Sequence, residues 1–172
     1  MKIILLIVGV LLVGGEFLQA QAAVKPTAAA KPQKLLVGSG ALSGGIAGTG
    51  FSLMNLKSTI NPQAHLERLM IDVGDIDGHS LKGLPGYFNV ELQNNAKRIV
   101  VDFSQMPTTL IDAKALTARL RQSMYVQNVK MLADPSDNTL SLIMDLKKPV
   151  RLKVFQVPGQ KTTSKVVLDL IS

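Results

Sequence analysis

The stretch Arg98-Ile-Val-Val-Asp-Phe103 has an apolar side chain at every second position from Ile99 onward, and the similar stretch Lys165-Val-Val-Leu-Asp-Leu170 follows 165 − 98 = 67 residues later. Successive side chains of a β-strand point to opposite faces. Each stretch therefore predicts a strand with a purely apolar face toward a core. Its other face carries a cation, an aliphatic residue and a carboxylate in that order. The recurrence indicates two equivalent strands in a repeated β structure.

A second pair of similar stretches extends the repeat. Leu69-Met-Ile-Asp72 corresponds to Leu142-Ile-Met-Asp145, at an offset of 145 − 72 = 73 residues. Another strand follows in each half, over residues 87–92 and 150–157. Residues typical of turns separate the strands: Asn94-Asn95, residues 134–138 and Pro158-Gly159. Short turns of this kind connect antiparallel strands, so residues 66–172 are predicted to hold two similar antiparallel halves.

The segment between the halves predicts a helix over residues 112–124. Asp112 is a suitable N-cap, and Leu116, Leu120 and Met124 recur behind it at four-residue spacing. The second half then opens with a strand. The expected fold is mainly β: two small pseudo-symmetric antiparallel sheets packed together, with one linking α-helix.

The chain begins with the features of an export signal. Lys2 supplies a positive charge, residues 3–13 form an apolar run, and Ala20-Gln21-Ala22 has the small-x-small pattern of a cleavage site. Residues 1–22 are therefore predicted to be a signal peptide cleaved after Ala22, which places the protein in the periplasm. An uncleaved anchor is the alternative. The apolar run is shorter than the ~20 residues that span a bilayer, which argues against an anchor. After cleavage no stable membrane span is expected.

Residues 23–61 differ in composition from the rest of the chain and predict a linker. Their first part is rich in alanine, proline and lysine, a mixture that stays extended and solvated. Six glycines lie between residues 38 and 50, and ordering so many glycines costs much backbone entropy. Their four-residue spacing also fits a membrane or helix-dimerisation motif, which is the alternative to a spacer. The folded domain is accordingly expected over residues 62–172.

Composition and charge exclude several classes of function. The chain has no cysteine, so disulfides, thiol nucleophiles and Cys-ligated metals are excluded. His65, Glu67 and His79 are the only candidates for a zinc hydrolase site, and such a site needs a closed ligand geometry with a supporting shell. From residue 61 onward, 14 basic and 11 acidic residues leave a net charge of +3, without the dense basic block of a nucleic-acid-binding protein. We expect no enzyme, cofactor, metal or nucleic-acid partner.

The outward faces of the predicted strands carry the candidate binding residues. Arg98 and Asp102 lie ~13 Å apart on one strand, so each needs a partner on a neighbouring strand or in a ligand. The sequence allows both interpretations. One outer face is expected to hold Ile143, Asp145, Arg151, Lys153, Phe155, Lys165, Val167 and Asp169. The other is expected to hold Arg68, Met70, Asp72, Arg98, Val100 and Asp102.

Three segments together resemble the AMIN domain: Lys97-Arg-Ile-Val-Val-Asp-Phe103, Leu140-Ser-Leu-Ile-Met-Asp-Leu-Lys-Lys-Pro-Val-Arg-Leu-Lys-Val-Phe155 and Ser164-Lys-Val-Val-Leu-Asp-Leu170. The resemblance covers residues 66–172. The AMIN domain precedes the catalytic part of periplasmic N-acetylmuramoyl-L-alanine amidases and occurs in type IV pilus secretins. It implies a non-catalytic module of two roughly symmetric sheets that binds peptidoglycan at the cell wall or division site.

The resemblance also implies roles for individual residues. The family's Arg-x-Val-x-Asp pattern falls on Arg98, Val100 and Asp102, and Lys165 stands where the second half usually has arginine. A lysine cannot make the planar bidentate contact of an arginine, so the second half is expected to bind differently or only to scaffold. The candidates for ligand binding are Arg98, Asp102, Asp145, Arg151, Lys153, Phe155, Lys165 and Asp169. The alternative function is a periplasmic protein-interaction adaptor for a secretin, pilus or division complex.

Overall fold

The structure is a computed structural model that describes residues 34–48 and 50–172. The predicted signal peptide and its cleavage site lie outside the described residues. Within these ranges the chain forms eleven strands, one α-helix and a short 3-10 helix over Asn94–Ala96. The strands and the α-helix follow one another in this order: β1 (Lys34–Leu36), β2 (Ser39–Gly44), β3 (Phe51–Asn61), β4 (Leu66–Asp75), β5 (Phe88–Gln93), β6 (Arg98–Phe103), β7 (Thr108–Thr109), α1 (Ala113–Leu120), β8 (Val126–Asp134), β9 (Thr139–Leu146), β10 (Arg151–Val157) and β11 (Ser164–Ile171).

The strands form two sheets, as the alternation predicted. The six-stranded sheet has the order β1-β10-β11-β4-β3-β7, and the five-stranded sheet has the order β2-β5-β6-β9-β8. Neighbouring strands are antiparallel except β3 and β7, which are parallel. The expected class, mainly β with two sheets and one linking helix, is confirmed.

The two sheets share an internal strand order, which makes the fold pseudo-symmetric. The order β5-β6-β9-β8 in one sheet corresponds to β10-β11-β4-β3 in the other. Each sheet therefore combines the last two strands of one repeat with the first two strands of the other. Arg98 lies opposite Asp145 in one sheet, and Lys165 lies opposite Asp72 at the equivalent place in the other. The halves of the sequence are interleaved, so neither half forms a sheet of its own.

A β-bulge occurs at the same position in both repeats. In β3 the register shifts between Leu53 and Asn55, and in β8 it shifts between Val126 and Asn128, again at an offset of 73 residues (126 − 53). The sequences around the bulges are similar: Leu53-Met-Asn-Leu-Lys57 and Val126-Gln-Asn-Val-Lys130. The repeat therefore begins at β3, earlier than the sequence comparison placed it.

Residues 34–36, 39–44 and 51–61, which their composition assigned to a linker, belong to the sheets. β1 pairs with β10, β2 pairs with β5, and β3 pairs along the length of β4. The linker prediction is wrong for these residues because the segment contains apolar strand positions: Leu53 and Leu56 of β3 are fully buried. The glycine spacing that suggested a helix motif falls partly within β2, an extended strand. Residues 23–33 of the predicted linker lie outside the described ranges.

The core lies between the sheets and is built from the apolar faces that the alternation predicted. Fully buried side chains include Ile99, Val101 and Phe103 of β6 and Val166, Leu168 and Leu170 of β11. Burying a side chain of this size contributes ~1.5–3 kcal/mol. On the outer side of the central strand β11, Val167 and Asp169 are also buried. Long side chains of the flanking strands therefore shield part of the outer face.

The helix α1 begins where the sequence predicted and ends earlier. Asp112 is the N-cap, and its Oδ1 accepts a hydrogen bond from the backbone N–H of Ala115 at 2.6 Å. Leu116 and Leu120 are buried against the core. After Leu120 the chain turns into β8, and at this turn Ser123 Oγ accepts a hydrogen bond from the backbone N–H of Val126 at 2.7 Å. Among the described residues, no helix has the length and hydrophobicity that a membrane span requires.

Replacing Asp112 with alanine is expected to lower the free energy of unfolding by about 1 kcal/mol, because the first turn of α1 loses its side-chain acceptor. Urea denaturation followed by circular dichroism measures the change. Lys114→Ala, in the same exposed turn, is the matched control and is expected to have little effect because Lys114 has no capping role. Equal stabilities of the two variants would contradict the capping assignment.

Candidate ligand-binding faces

The outer face of the five-stranded sheet centres on an ion pair between two strands. Arg98 on β6 lies directly opposite Asp145 on β9. Its Nε donates to Asp145 Oδ1 at 2.9 Å, and its Nη2 lies 2.8 Å from the same oxygen. Both side chains keep solvent access, 42% for Arg98 and 29% for Asp145. A cross-strand pair at this exposure contributes about 0.2–1 kcal/mol, which leaves both groups within reach of a ligand.

Asp102 lies on the same face, farther along β6. Its Oδ1 accepts a hydrogen bond from Ser141 Oγ at 2.6 Å. Within residues 34–48 and 50–172, Asp102 takes part in no ion pair. A carboxylate offers two oxygens with about four acceptor sites. Asp102 can therefore accept further hydrogen bonds from a ligand.

In the six-stranded sheet the position equivalent to Asp102 is Asp169, and this carboxylate forms an ion pair. Arg68 on β4 lies opposite Asp169 on β11. Arg68 Nε and Nη2 donate to Asp169 Oδ1 and Oδ2 in two hydrogen bonds of 2.7 Å each. The hydrogen bonds to Asp169, and its negative charge, raise the pKa of Arg68 above its ordinary value against the opposing effect of partial burial. This bidentate geometry holds a cationic guanidinium in one orientation.

Arg68 also lies over an aromatic ring. Its guanidinium carbon is 5.7 Å from the centre of the Phe155 ring, within the range of a cation–π contact. The Arg68 side chain is 45% exposed and that of Asp169 is 6% exposed, so solvent meets the guanidinium rather than the carboxylate. Arg68 was not among the predicted binding candidates. No local signal marks its role, because Arg68 and Asp169 are 101 residues apart in the sequence.

A second ion pair on the six-stranded sheet joins Lys165 and Asp72. Lys165 Nζ lies 2.5 Å from Asp72 Oδ1, and Asn55 Nδ2 lies 3.5 Å from Asp72 Oδ2. Their side chains are 23% and 11% exposed, less than those of the equivalent pair on the other sheet. Lys165 is thus largely neutralised within the protein, which fits the scaffolding role that the lysine at this position suggested.

Strand β10 places Arg151, Lys153 and Phe155 on the outer face of the six-stranded sheet, since Leu152 and Val154 between them enter the core. Arg151 is exposed and Lys153 is half-buried. In the part of the chain that the structure describes, neither cation makes a side-chain hydrogen bond or an ion pair. Arg151 also borders an open depression of about 280 Å³. These two cations are the most available for an external anion.

The structure divides the predicted candidates between two faces. Three lie on the five-stranded sheet: Arg98, Asp102 and Asp145. Five lie on the six-stranded sheet: Arg151, Lys153, Phe155, Lys165 and Asp169. The expectation that Asp145 shares a face with Lys165 is wrong, and so is the expectation that Arg68 and Asp72 share a face with Arg98. The physical reason is the interleaving, since β9 pairs with β6 and β4 pairs with β11.

The histidine cluster considered from the sequence is not assembled among the described residues. Glu67 is fully buried, and its carboxyl oxygens accept from two serine hydroxyls at 2.7 Å and one backbone N–H at 3.1 Å. His65 precedes β4 and His79 follows it, so a ten-residue strand, ~33 Å long, separates the two imidazoles. Glu67 is therefore a structural residue that ties β4 to the chain after α1.

The segment from Asp75 to Ser80 forms a tight turn. Asp75 Oδ1 accepts from the backbone N–H groups of Asp77 at 3.1 Å and His79 at 2.8 Å. Ligand atoms of these three side chains lie within 4.8 Å of one another, and the side chains of Asp77 and His79 are exposed. Asp and Asn side chains commonly hold turns in this way. The turn's own hydrogen bonds account for the cluster.

Comparison with known proteins identifies no family for this chain. No protein-family model matches the chain, and no curated protein matches it significantly. The resemblance to the AMIN domain therefore stays a prediction, and the function has to be argued from the two outer faces.

Proposed function

We propose that this protein is a non-catalytic periplasmic module that binds peptidoglycan. The observation that carries the proposal is the pair of outer β faces on which charged and aliphatic side chains alternate in the same order. Peptidoglycan offers hydroxyl, amide and carboxyl groups along an extended chain. A flat strand face can contact several such groups at once, and the resemblance to the AMIN domain supports the same function.

In this proposal each kind of side chain recognises a different chemical group. Basic side chains bind carboxylates of the stem peptides, Asp102 accepts hydrogen bonds from sugar hydroxyls or amides, and Phe155 packs against a sugar ring. The ion pairs of Arg98, Lys165 and Asp169 keep the surface ordered. A hydrogen bond to a charged group contributes ~1.5–3 kcal/mol, so useful affinity requires several contacts together.

Co-sedimentation of the full-length chain with purified sacculi tests the proposal. We expect the chain to pellet with sacculi at low salt and to be released as salt rises, because exposed charges are screened. Soluble muropeptides are expected to compete. Cellulose particles, an insoluble polysaccharide without peptides, are the matched control. A pelleted fraction that is the same with sacculi and with cellulose would contradict peptidoglycan binding.

The second candidate function is an adaptor for a secretin, pilus or division complex. One observation favours it: β8 is the last strand of the five-stranded sheet, and its outward residue Leu132 is 54% exposed. A terminal strand can pair with an added strand from a partner. Crosslinking from β8 in intact cells separates the two functions, since an adaptor yields one defined protein adduct whether or not the chain binds sacculi.

A further inference from the structure

The outer face of the six-stranded sheet is strongly basic. Among the side chains that the structure describes on this face, five are basic: Lys57, Arg68, Arg151, Lys153 and Lys165. Two are acidic, Asp72 and Asp169, which leaves a net charge of +3. Both carboxylates are buried beneath their cation partners, with 11% of the Asp72 side chain and 6% of the Asp169 side chain exposed. The charge that solvent meets is therefore almost entirely positive.

The pseudo-equivalent face of the five-stranded sheet has the opposite sign. Its outward ionisable side chains are Glu91, Arg98, Asp102, Lys130, Asp134 and Asp145. Four acidic residues against two basic residues give a net charge of −2. Here the acidic groups keep solvent access, as Asp145 does beside Arg98. The two sheets share the same internal strand order. The difference in charge between their outer faces therefore comes from the residues at the outward positions.

The cations of the basic face are spaced for a polymer rather than for a single small anion. Arg151 and Lys153 are two residues apart on β10, about 7 Å along the strand. Lys153 and Arg68 lie in the same row two strands apart, about 10 Å across the sheet. Arg68 is held in place by Asp169 and uses only two of its five N–H donors in that contact. An extended chain bearing carboxylates can meet all three cations.

We infer that carboxylate groups of the bound polymer are recognised by one face only, the outer face of the six-stranded sheet, through Arg68, Arg151 and Lys153. The identity of the polymer as peptidoglycan rests on the function proposed above, and the choice of face rests on charge and ion pairing alone. The pseudo-symmetric face repels the carboxylates of such a polymer, because its own accessible carboxylates carry the same sign of charge, and Asp102 on that face is left to accept from neutral hydroxyl or amide groups.

The test compares two double variants with equal loss of charge in the full-length chain. Arg151→Gln with Lys153→Gln removes the two unpaired cations of the basic face. Lys114→Gln with Lys130→Gln removes one exposed cation from α1 and one from the five-stranded face. The first pair is expected to weaken sacculus binding roughly tenfold, because the lost contacts are between solvent-exposed charges and glutamine can still donate a neutral hydrogen bond. The second pair is expected to change it by less than about twofold.

Chemical blocking of the polymer tests the ligand class. Sacculi whose carboxylates are converted to neutral amides with a carbodiimide and ethanolamine are expected to bind the unaltered chain at least as weakly as untreated sacculi bind the Arg151→Gln, Lys153→Gln variant, which keeps Arg68. Unaltered binding to amidated sacculi, or equal effects of the two double variants, would overturn the inference while leaving peptidoglycan binding intact.

A soluble probe separates this inference from the proposed function. If the full-length chain fails to bind sacculi, the proposed function fails, and poly-L-glutamate then tests the face directly. Weaker binding of poly-L-glutamate by the Arg151→Gln, Lys153→Gln variant than by the Lys114→Gln, Lys130→Gln variant would support a carboxylate-binding face. No difference between the two variants would overturn it.

Discussion

Replacing Glu67 with alanine is expected to lower the free energy of unfolding by about 3 kcal/mol, because it removes the acceptor of three donors, of which the Ser123 hydroxyl and the Tyr125 N–H are buried. Glu67 Oε1 accepts from Ser58 Oγ on β3, and Oε2 accepts from Ser123 Oγ and from the backbone N–H of Tyr125. Each buried donor left without a partner costs ~1–3 kcal/mol. Small domains have total stabilities of ~5–15 kcal/mol, so the loss would be readily measured by urea denaturation.

Glu67→Gln is the matched control for this prediction. A glutamine has the same shape, its oxygen can accept from Ser123 and Tyr125, and its amide can donate to Ser58 Oγ. We expect it to cost about 1 kcal/mol, since only the charge-assisted part of the hydrogen bonds is lost. If alanine destabilises the fold no more than glutamine does, the carboxyl group does not anchor β4 to the chain after α1.

Replacing Gly45 with alanine is also expected to cost about 3 kcal/mol, well above the effect of an ordinary surface substitution. Gly45 has φ = +81°, and a Cβ there would overlap the carbonyl oxygen of Gly86. A left-handed conformation costs alanine about 1–2 kcal/mol, and relieving the overlap adds to this cost. The displacement would also break the hydrogen bond of 3.0 Å from Ile46 N to Pro85 O. Thermal unfolding measures the loss.

Gly40→Ala, in the same glycine-containing segment, gives the contrast that the packing predicts. A Cβ at residue 40 would meet Leu36 Cδ2 at 3.5 Å, an ordinary contact. Because alanine also restricts the unfolded chain more than glycine does, the stability is expected to stay the same or to rise by up to about 1 kcal/mol. Equal tolerance of alanine at residues 40 and 45 would favour a flexible spacer and contradict the packing of this segment.

The strands of the second half and the strands β4, β5 and β6 were predicted well because their signal is local. Ile99, Val101 and Phe103 alternate with the outward residues Arg98, Val100 and Asp102, and these three apolar residues are fully buried. The N-cap of α1 was likewise visible at Asp112, directly before the leucine spacing. Patterns of this kind depend on residues within one strand or turn, which a single sequence displays directly.

The start of the fold was not predicted, because the composition of the segment obscured three strands, β1, β2 and β3. Glycines between residues 38 and 50 suggested a spacer, yet Gly45 is required where the backbone passes close to Gly86. The similarity of Leu53-Met-Asn-Leu-Lys57 to Val126-Gln-Asn-Val-Lys130, at the offset already found for β4 and β9, was the signal that could have corrected this. Similarity to a strand elsewhere in the chain predicts a strand more reliably than a high glycine content predicts a spacer.

The sequence by itself determined which side chains of each strand enter the core and which face outward, because that choice follows from alternation along a few residues. Only the tertiary structure decided which strands are neighbours. Strand pairing depends on contacts between residues as far apart as Arg68 and Asp169, 101 positions from each other, and no local pattern encodes such a contact. Because the repeats are interleaved, the partners of each cross-strand ion pair come from different repeats. On the six-stranded sheet this arrangement buries Asp72 and Asp169 and leaves Arg68 and Arg151 exposed.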